Sequence, residues 1–92
     1  MYATIRNYTG GDLAGNLRSR GDEVAAVMKG VPGLRAYYLI RSGTDAISVT
    51  ISDDEAGGQQ SNEAAARWLR ENMPDAASTP PEISAGEVVV SL

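Results

Sequence analysis

The stretch GLRAYYLIRSGTDAISVTIS, residues 33–52, decides the fold of this chain. Residues 33–41 are apolar nearly throughout, which predicts a strand that is covered on both faces. In residues 46–52, isoleucine and valine alternate with serine and threonine, which predicts a second strand with one apolar and one polar face. Residues 42–45, Ser-Gly-Thr-Asp, lie between them and predict a tight turn. The centre of the chain is therefore predicted to be a β-hairpin.

A strand and a helix are predicted before this hairpin. Residues 2–8, YATIRNY, are aromatic and β-branched and predict the first strand. Apolar residues then recur at helical spacing over one stripe, with Asp12 as the candidate cap. Glycines weaken the first part of this helix by about 1 kcal/mol each relative to alanine. We therefore expect a loose turn followed by a firm helix from about Asp22 to Lys29. The stripe consists of Leu13, Leu17, Val24, Met28 and Val31.

A second helix and a last strand are predicted after the hairpin. The run DDEAGGQQ, residues 53–60, predicts a polar loop, and Ser61 is the candidate cap of the helix that follows. Its inward face is predicted to include Leu69, with Asn62 and Trp68 at opposite margins. Pro74 ends it and begins a proline-rich linker. Residues 83–90 predict the last strand.

The predicted order is β-α-β-β-α-β within a single domain, residues 1–92. This order predicts an α+β, ferredoxin-like fold, in which a four-stranded antiparallel sheet carries both helices on one face. Strand alternation puts Asn7 on the same side as Ile5, so Asn7 faces the helices if Ile5 does. The opposite sheet face would carry apolar or small polar residues and few charges. We therefore expect two copies to pack through this face as a homodimeric α/β barrel.

Composition excludes several classes of function. The net charge of −4 and the absence of a cluster of basic residues argue against nucleic-acid binding. Without cysteine or histidine, the chain has no thiolate nucleophile, no usual general base and no usual zinc or haem ligand, so we expect no metal or cofactor. No secretion signal or apolar run long enough to span a bilayer is visible, so we expect a cytoplasmic protein without a membrane partner.

Four segments carry a resemblance to a known family. In chain order they are YATIRNY, GLRAYYLIR, SNEAAARWLRENMP and ISAGEVVV. Together they resemble the dimeric α/β-barrel superfamily of antibiotic-biosynthesis-monooxygenase-like proteins, and more narrowly a branch of small uncharacterised bacterial proteins. The resemblance spans nearly the whole chain. It implies a homodimer and, as in many members, a pocket between sheet and helices, but membership of such a fold does not select an activity.

The resemblance also implies candidate site residues. Haem-degrading members carry an asparagine and a tryptophan in the elements that here contain Asn7 and Trp68, followed by a histidine that this chain lacks. Quinone-forming members hold a phenolic substrate with asparagine, tryptophan, tyrosine and arginine side chains. The candidates here are Asn62, Trp68, Tyr37 or Tyr38, and Arg35. Asn62 and Trp68 are six residues apart, a spacing that does not place two helical side chains side by side.

Two functions remain open from the sequence, and whether the chain is an enzyme stays open with them. We favour a non-catalytic homodimer with a structural or small-molecule-binding role, in which Trp68 is a core residue. The alternative is a cofactor-independent monooxygenase or isomerase acting on a small aromatic, quinol- or anthrone-like compound in a pocket lined by Trp68, Asn62 and Tyr38. Tyr37 and Tyr38 point to opposite faces of their strand, so one is expected in the pocket and the other at the dimer interface.

Overall fold

A computed structural model describes all 92 residues of the chain. Its elements are β1 (Tyr2–Tyr8), α1 (Leu13–Leu17), α2 (Gly21–Lys29), β2 (Leu34–Ser42), β3 (Asp45–Ser52), α3 (Glu55–Asn72), α4 (Pro74–Ala77) and β4 (Glu82–Glu87). The strands form one sheet in the order β2-β3-β1-β4, and every neighbouring pair is antiparallel. This is the ferredoxin-like order, so the predicted α+β fold is confirmed.

The central hairpin forms as predicted. Ser42 pairs with Asp45 across a two-residue turn, and Gly43 adopts a positive φ of 61°, a conformation that glycine reaches without steric cost. Tyr37 is opposite Thr50, whereas Tyr38 is opposite Val49. The two tyrosines therefore lie on opposite faces of the sheet, as the alternation predicted.

The predicted apolar stripe of the first helical region is confirmed. The stripe residues of α1 and α2, and Val31 directly after α2, are buried, except Val24, which is half-buried. The weak first part is the short helix α1, which a 3-10 turn over Arg18–Arg20 joins to α2. Asp12 precedes α1 as expected, but its carboxylate caps no helix N–H and instead accepts hydrogen bonds from Arg41 at 2.8 Å. The guanidinium of the neighbouring strand provides a stronger, charge-assisted partner.

The second helix begins earlier than predicted. Asp54, not Ser61, is the cap of α3, and its carboxylate accepts a hydrogen bond from the Gly57 N–H at 3.0 Å. The predicted loop over residues 53–60 is therefore wrong from residue 55 onward. A glycine pair lowers helix propensity, but it lets the helix backbone approach the sheet closely. No helix, α3 included, is both long and apolar enough to cross a membrane.

The side of the sheet that carries hydroxyl groups faces the helices. Thr4 and Arg6 of β1 are buried beneath the helices, and so are Ser48 and Thr50 of β3. Ile5 is 40% exposed and lies with Asn7 on the open face of the sheet. The condition under which Asn7 would face the helices is therefore not met, and Asn7 points away from them as Ile5 does. The small hydroxyl-bearing residues occupy the helix side because they form the surroundings of a buried arginine.

The last strand is shorter than predicted. β4 ends at Glu87, and Val89 and Val90 are 84% and 77% exposed. Its partner β1 begins at Tyr2, so only one further backbone hydrogen bond forms, from Val88 N–H to the Met1 carbonyl. β4 therefore ends at Glu87, the residue that pairs with Tyr2 at the beginning of β1. The linker before it also contains the short helix α4, which begins at Pro74.

Candidate functional site

A buried arginine lies at the centre of the molecule. Arg6 is 1% exposed and projects from the middle of β1 into the layer between sheet and helices. Its Nη1 donates to Ser61 Oγ at 2.9 Å and to Asn62 Oδ1 at 3.0 Å, both on α3. Its Nη2 donates to Ser48 Oγ at 2.7 Å and to Thr50 Oγ1 at 2.9 Å, both on β3. The guanidinium is therefore clamped between a strand and a helix.

Local structure explains this clamp. Ser48 and Thr50 are two residues apart on β3, so both point to the helix side, and Ser48 is directly opposite Arg6. Ser61 reaches the guanidinium because α3 lies close to β1. A Cβ on Gly58 would lie 2.5 Å from Thr4 Oγ1, so only glycine permits this approach. The clamp therefore depends on the two glycines at the start of α3 that sequence analysis placed in a loop.

The clamp leaves the charge of Arg6 without a counter-ion. All four acceptors are neutral oxygens, and no aspartate or glutamate forms an ion pair with this side chain. The Nε–H group is buried and has no hydrogen-bond partner. Arginine remains protonated inside proteins, so the site retains a full positive charge.

Two polar groups next to Arg6 remain free to donate hydrogen bonds. Asn62 uses its carbonyl oxygen to accept from Arg6, which leaves its amide N–H groups without a partner in the chain. Burial raises the pKa of the Tyr8 hydroxyl, and the positive charge of Arg6 only partly opposes that effect. Tyr8 therefore keeps its proton at neutral pH and presents a donor.

Arg6, Tyr8 and Asn62 line a cleft of about 640 Å³ between the sheet and helices α3 and α4. That volume lies within the range of small-molecule sites. The apolar part of the lining is Leu69, Ala66, Ala76, Ala77, Pro80, Pro81 and Ile83. Two further arginines, Arg67 and Arg70, line the cleft with Glu63, and neither of them forms an ion pair. With three arginines and one glutamate, the cleft is positive in a chain whose net charge is −4.

The structure brings together only some of the residues that the sequence predicted. Asn62 contacts Arg6, and the Tyr37 hydroxyl is 3.4 Å from Ser48 Oγ at the edge of the clamp. Asn7 and Tyr38 lie on the open face of the sheet, and Tyr38 is 60% exposed. Arg35 is exposed and pairs with Asp53 at the β2 edge. A pocket that combines Tyr38 with Asn62 and Trp68 is therefore excluded, since Tyr38 points away from the helices.

Trp68 packs between α2 and α3. It lies against the main hydrophobic cluster and borders an apolar cavity of only about 30 Å³, together with residues such as Met28 and Leu39. The Arg20 guanidinium covers its ring at 4.8 Å from the centroid and also donates to Asn72 Oδ1. Trp68 does not line the cleft beside Arg6, although its edge borders a second, more polar cleft of about 710 Å³ together with Val31 and Glu71. This packing supports the interpretation of Trp68 as a core residue.

Sequence reasoning missed Arg6, Tyr8 and Ser61 as site residues. Arg6 is a charged residue in the middle of an otherwise uncharged strand, flanked at two-residue spacing by Thr4 and Tyr8. That position is a usable signal, because a charge on a central strand requires polar partners. No group of three histidine, cysteine, aspartate or glutamate residues lies close enough together to hold a metal ion.

Comparisons with known proteins identify the fold. No protein-family model matches the chain, and no curated protein matches its sequence. A Nitrosomonas europaea protein of unknown function, NE2512, superposes with a TM-score of 0.75 at 22% identity, covering 99% of this chain and 91% of its own. A putative antibiotic biosynthesis monooxygenase from Bordetella bronchiseptica superposes with a TM-score of 0.71 at 13% identity, covering 97% of each chain.

A third solved structure is SnoaB, a cofactor-independent oxygenase from Streptomyces nogalater. It superposes with a TM-score of 0.67 at 14% identity, covering 99% of this chain and 95% of its own. These identities establish likeness of fold and leave the activity open. The chain has the ferredoxin-like fold of the antibiotic-biosynthesis-monooxygenase-like proteins, which confirms at the level of fold the resemblance found in the sequence.

Proposed function

We propose that this chain is a homodimeric, non-catalytic protein that binds a small molecule in the cleft beside Arg6. The observation that carries the proposal is the cleft itself, about 640 Å³ in volume, which polar groups and apolar side chains line together. A few placed polar groups within an apolar lining are typical of small-molecule sites. The expected compartment is the cytoplasm.

The open face of the sheet supports a homodimer. Ile5, Tyr38 and Ile40 on this face are 40%, 60% and 44% exposed, and Val49 lies between them. An exposed apolar patch of this kind usually marks an interface. A second copy packed on this face would cover it and would leave the cleft on the helix side open. Dimer and ligand site therefore use opposite faces of one sheet.

The absence of an evident base supports a binding role over catalysis. Oxygenation without a cofactor requires the substrate to lose a proton, and a positioned general base speeds such a transfer. The chain has no histidine, and Tyr8, an ionisable residue that lines the cleft, holds its proton at neutral pH because burial raises its pKa. Glu63 is the only acidic residue that lines the cleft, and it is exposed.

A substitution that fills the cleft tests the binding role. Ala66 is exposed on α3 and lines the cleft, so Ala66→Phe should occupy part of it without disturbing the core. We expect small aromatic metabolites to raise the melting temperature of the wild type, and this increase to be lost in Ala66→Phe. Thermal-shift measurements on a panel of such compounds are the readout.

Ala26→Phe is the matched control, because Ala26 is an exposed helical alanine outside the cleft. It should respond to ligands as the wild type does. An equal response of wild type and Ala66→Phe to every compound that binds would rule out this cleft as the site.

The cofactor-independent oxygenase remains the second candidate. It is favoured by the positive charge of Arg6, which would stabilise a phenolate or enolate on an aromatic substrate. SnoaB, which shares the fold, is described as such an oxygenase. Oxygen uptake with anthrone- or quinol-like compounds separates the two functions. We expect no uptake above the rate without protein, and sustained turnover would establish the enzyme instead.

A further inference from the structure

Arg6 indicates the charge of the molecule that the cleft binds, an inference that rests on the proposed binding role. Four of its five N–H groups are held by neutral oxygens, and the fifth, on Nε, has no partner. A buried arginine normally pairs with a carboxylate, because an unpaired buried charge destabilises the folded state. No carboxylate of this chain forms an ion pair with Arg6. Arg6 therefore has neither a counter-ion nor an acceptor for its Nε–H group within the chain.

The clamp orients the guanidinium and does not neutralise it. Ser48, Thr50 and Ser61 are each buried at 2% exposure or less, so the guanidinium has little freedom to turn toward water. Ser61 Oγ is itself fixed, since it donates to the Gly58 carbonyl at 2.6 Å. Neutral hydroxyls that hold a cation in place while leaving its charge available are typical of preorganised binding sites.

The other groups of the cleft also favour an anion. The Asn62 amide and the protonated Tyr8 hydroxyl add neutral donors beside Arg6. Arg67 and Arg70 add unpaired positive charge to the lining, and the exposed Glu63 is the only acid there. Because the chain as a whole is acidic, this local excess of positive charge runs against its composition. It would attract anions to this cleft in particular.

We propose that the ligand is a small organic anion, a carboxylate on an apolar body, with its charged group at Arg6. The carboxylate would meet the charge of Arg6 and the donors of Asn62 and Tyr8. The apolar body would lie against Leu69 of α3 and against Ile83, which is opposite Arg6 on β4. A molecule with one charged group and one apolar body matches this mixed lining.

The test compares two probes of nearly equal shape that differ in charge. 2-Naphthoate carries a carboxylate, and 2-naphthamide carries a neutral amide on the same ring system. Titration calorimetry with the full chain should show millimolar or tighter binding of the naphthoate. The amide should bind at least about tenfold more weakly, since hydrogen bonds to a charged group are the stronger ones.

Nuclear magnetic resonance localises the binding. The Nε–H of Arg6 is buried, so its signal should persist at neutral pH, and its absence from the Arg6→Lys spectrum identifies it. Naphthoate should shift this signal. Arg6→Gln should weaken naphthoate binding by at least about tenfold, and Arg6→Lys, which keeps the charge, should lose less. Arg35→Gln is the matched control, because Arg35 is exposed and outside the cleft.

The outcomes distinguish failure of the anionic-ligand inference from failure of the proposed binding role. Equal affinity for the two probes, or naphthoate binding unchanged in a folded Arg6→Gln protein, overturns the anionic ligand but leaves the cleft as a site for neutral molecules. No naphthoate binding at millimolar concentration also overturns the inference. The binding role itself is tested by comparing the wild type with Ala66→Phe, because that panel contains uncharged and charged compounds alike.

Discussion

Gly58 determines how closely α3 lies on the sheet. A Cβ at this position would lie 2.5 Å from Thr4 Oγ1, a distance that real side chains do not tolerate, and at a tight 3.0 Å from Tyr2 Cδ2. The approach allows Ser61, less than one helical turn further on, to accept a hydrogen bond from Arg6. The residue that weakens the helix therefore permits the clamp on the buried guanidinium.

Gly58→Ala should accordingly destabilise the protein. The overlap with Thr4 should cost about 1–3 kcal/mol, which exceeds the gain of about 1 kcal/mol from higher helix propensity. Urea unfolding at one fixed protein concentration measures the difference. Gly21→Ala is the control, because nothing lies within 4 Å of its added Cβ. It should stabilise the protein, and equal effects of the two substitutions would contradict the close-approach argument.

At the scale of elements, α3 connects the site to the sheet. Its first turns lie against β1, and its later part contributes Asn62 to the clamp and Leu69 to the core. Helix propensity predicted the later part correctly and placed the start about two turns too late. The first turns form because Asp54 caps them and because the sheet accommodates their glycines.

Asp54→Ala should shorten α3 from its beginning. Loss of the hydrogen bond to the Gly57 N–H should cost about 1 kcal/mol of unfolding free energy, the usual magnitude for a cap. Amide hydrogen exchange should show faster exchange over residues 57–60 than in the wild type. Asp75→Ala is the control, since α4 has no side-chain cap and Asp75 lies inside its first turn. Unchanged exchange at residues 57–60 would contradict the assignment of Asp54 as the cap.

At the scale of the whole molecule, the sheet has two faces of different chemistry. The helix side carries hydroxyl groups and the buried arginine, whereas the open side carries Ile5, Ile47, Val49 and Ile51. A single chain thus covers the polar face and exposes the apolar one. Burial of that apolar surface between two copies is the expected driving force for a dimer.

A charge on the open face tests the dimer. The wild type should sediment at twice its mass of 9.7 kDa at micromolar concentration, and Val49→Glu should sediment as a monomer. Ala26→Glu, the same type of change on an exposed helix surface, should leave the wild-type mass unchanged. The unfolding midpoint of the wild type should also fall on about hundredfold dilution. A wild type that sediments as a monomer, or a midpoint independent of dilution, would reject the dimer.

The sequence alone determined the order of the elements, the central hairpin and the apolar stripe of the first helices, because these follow from local periodicity and turn chemistry. It also placed Asn62 and Tyr37 among the candidate residues. It did not determine which face of the sheet the helices cover, since alternation defines two faces without assigning either to the core. The tertiary structure made that assignment, and with it buried Arg6 and exposed Ile5. The reason is that four oxygens from β3 and α3 surround the guanidinium only on that face.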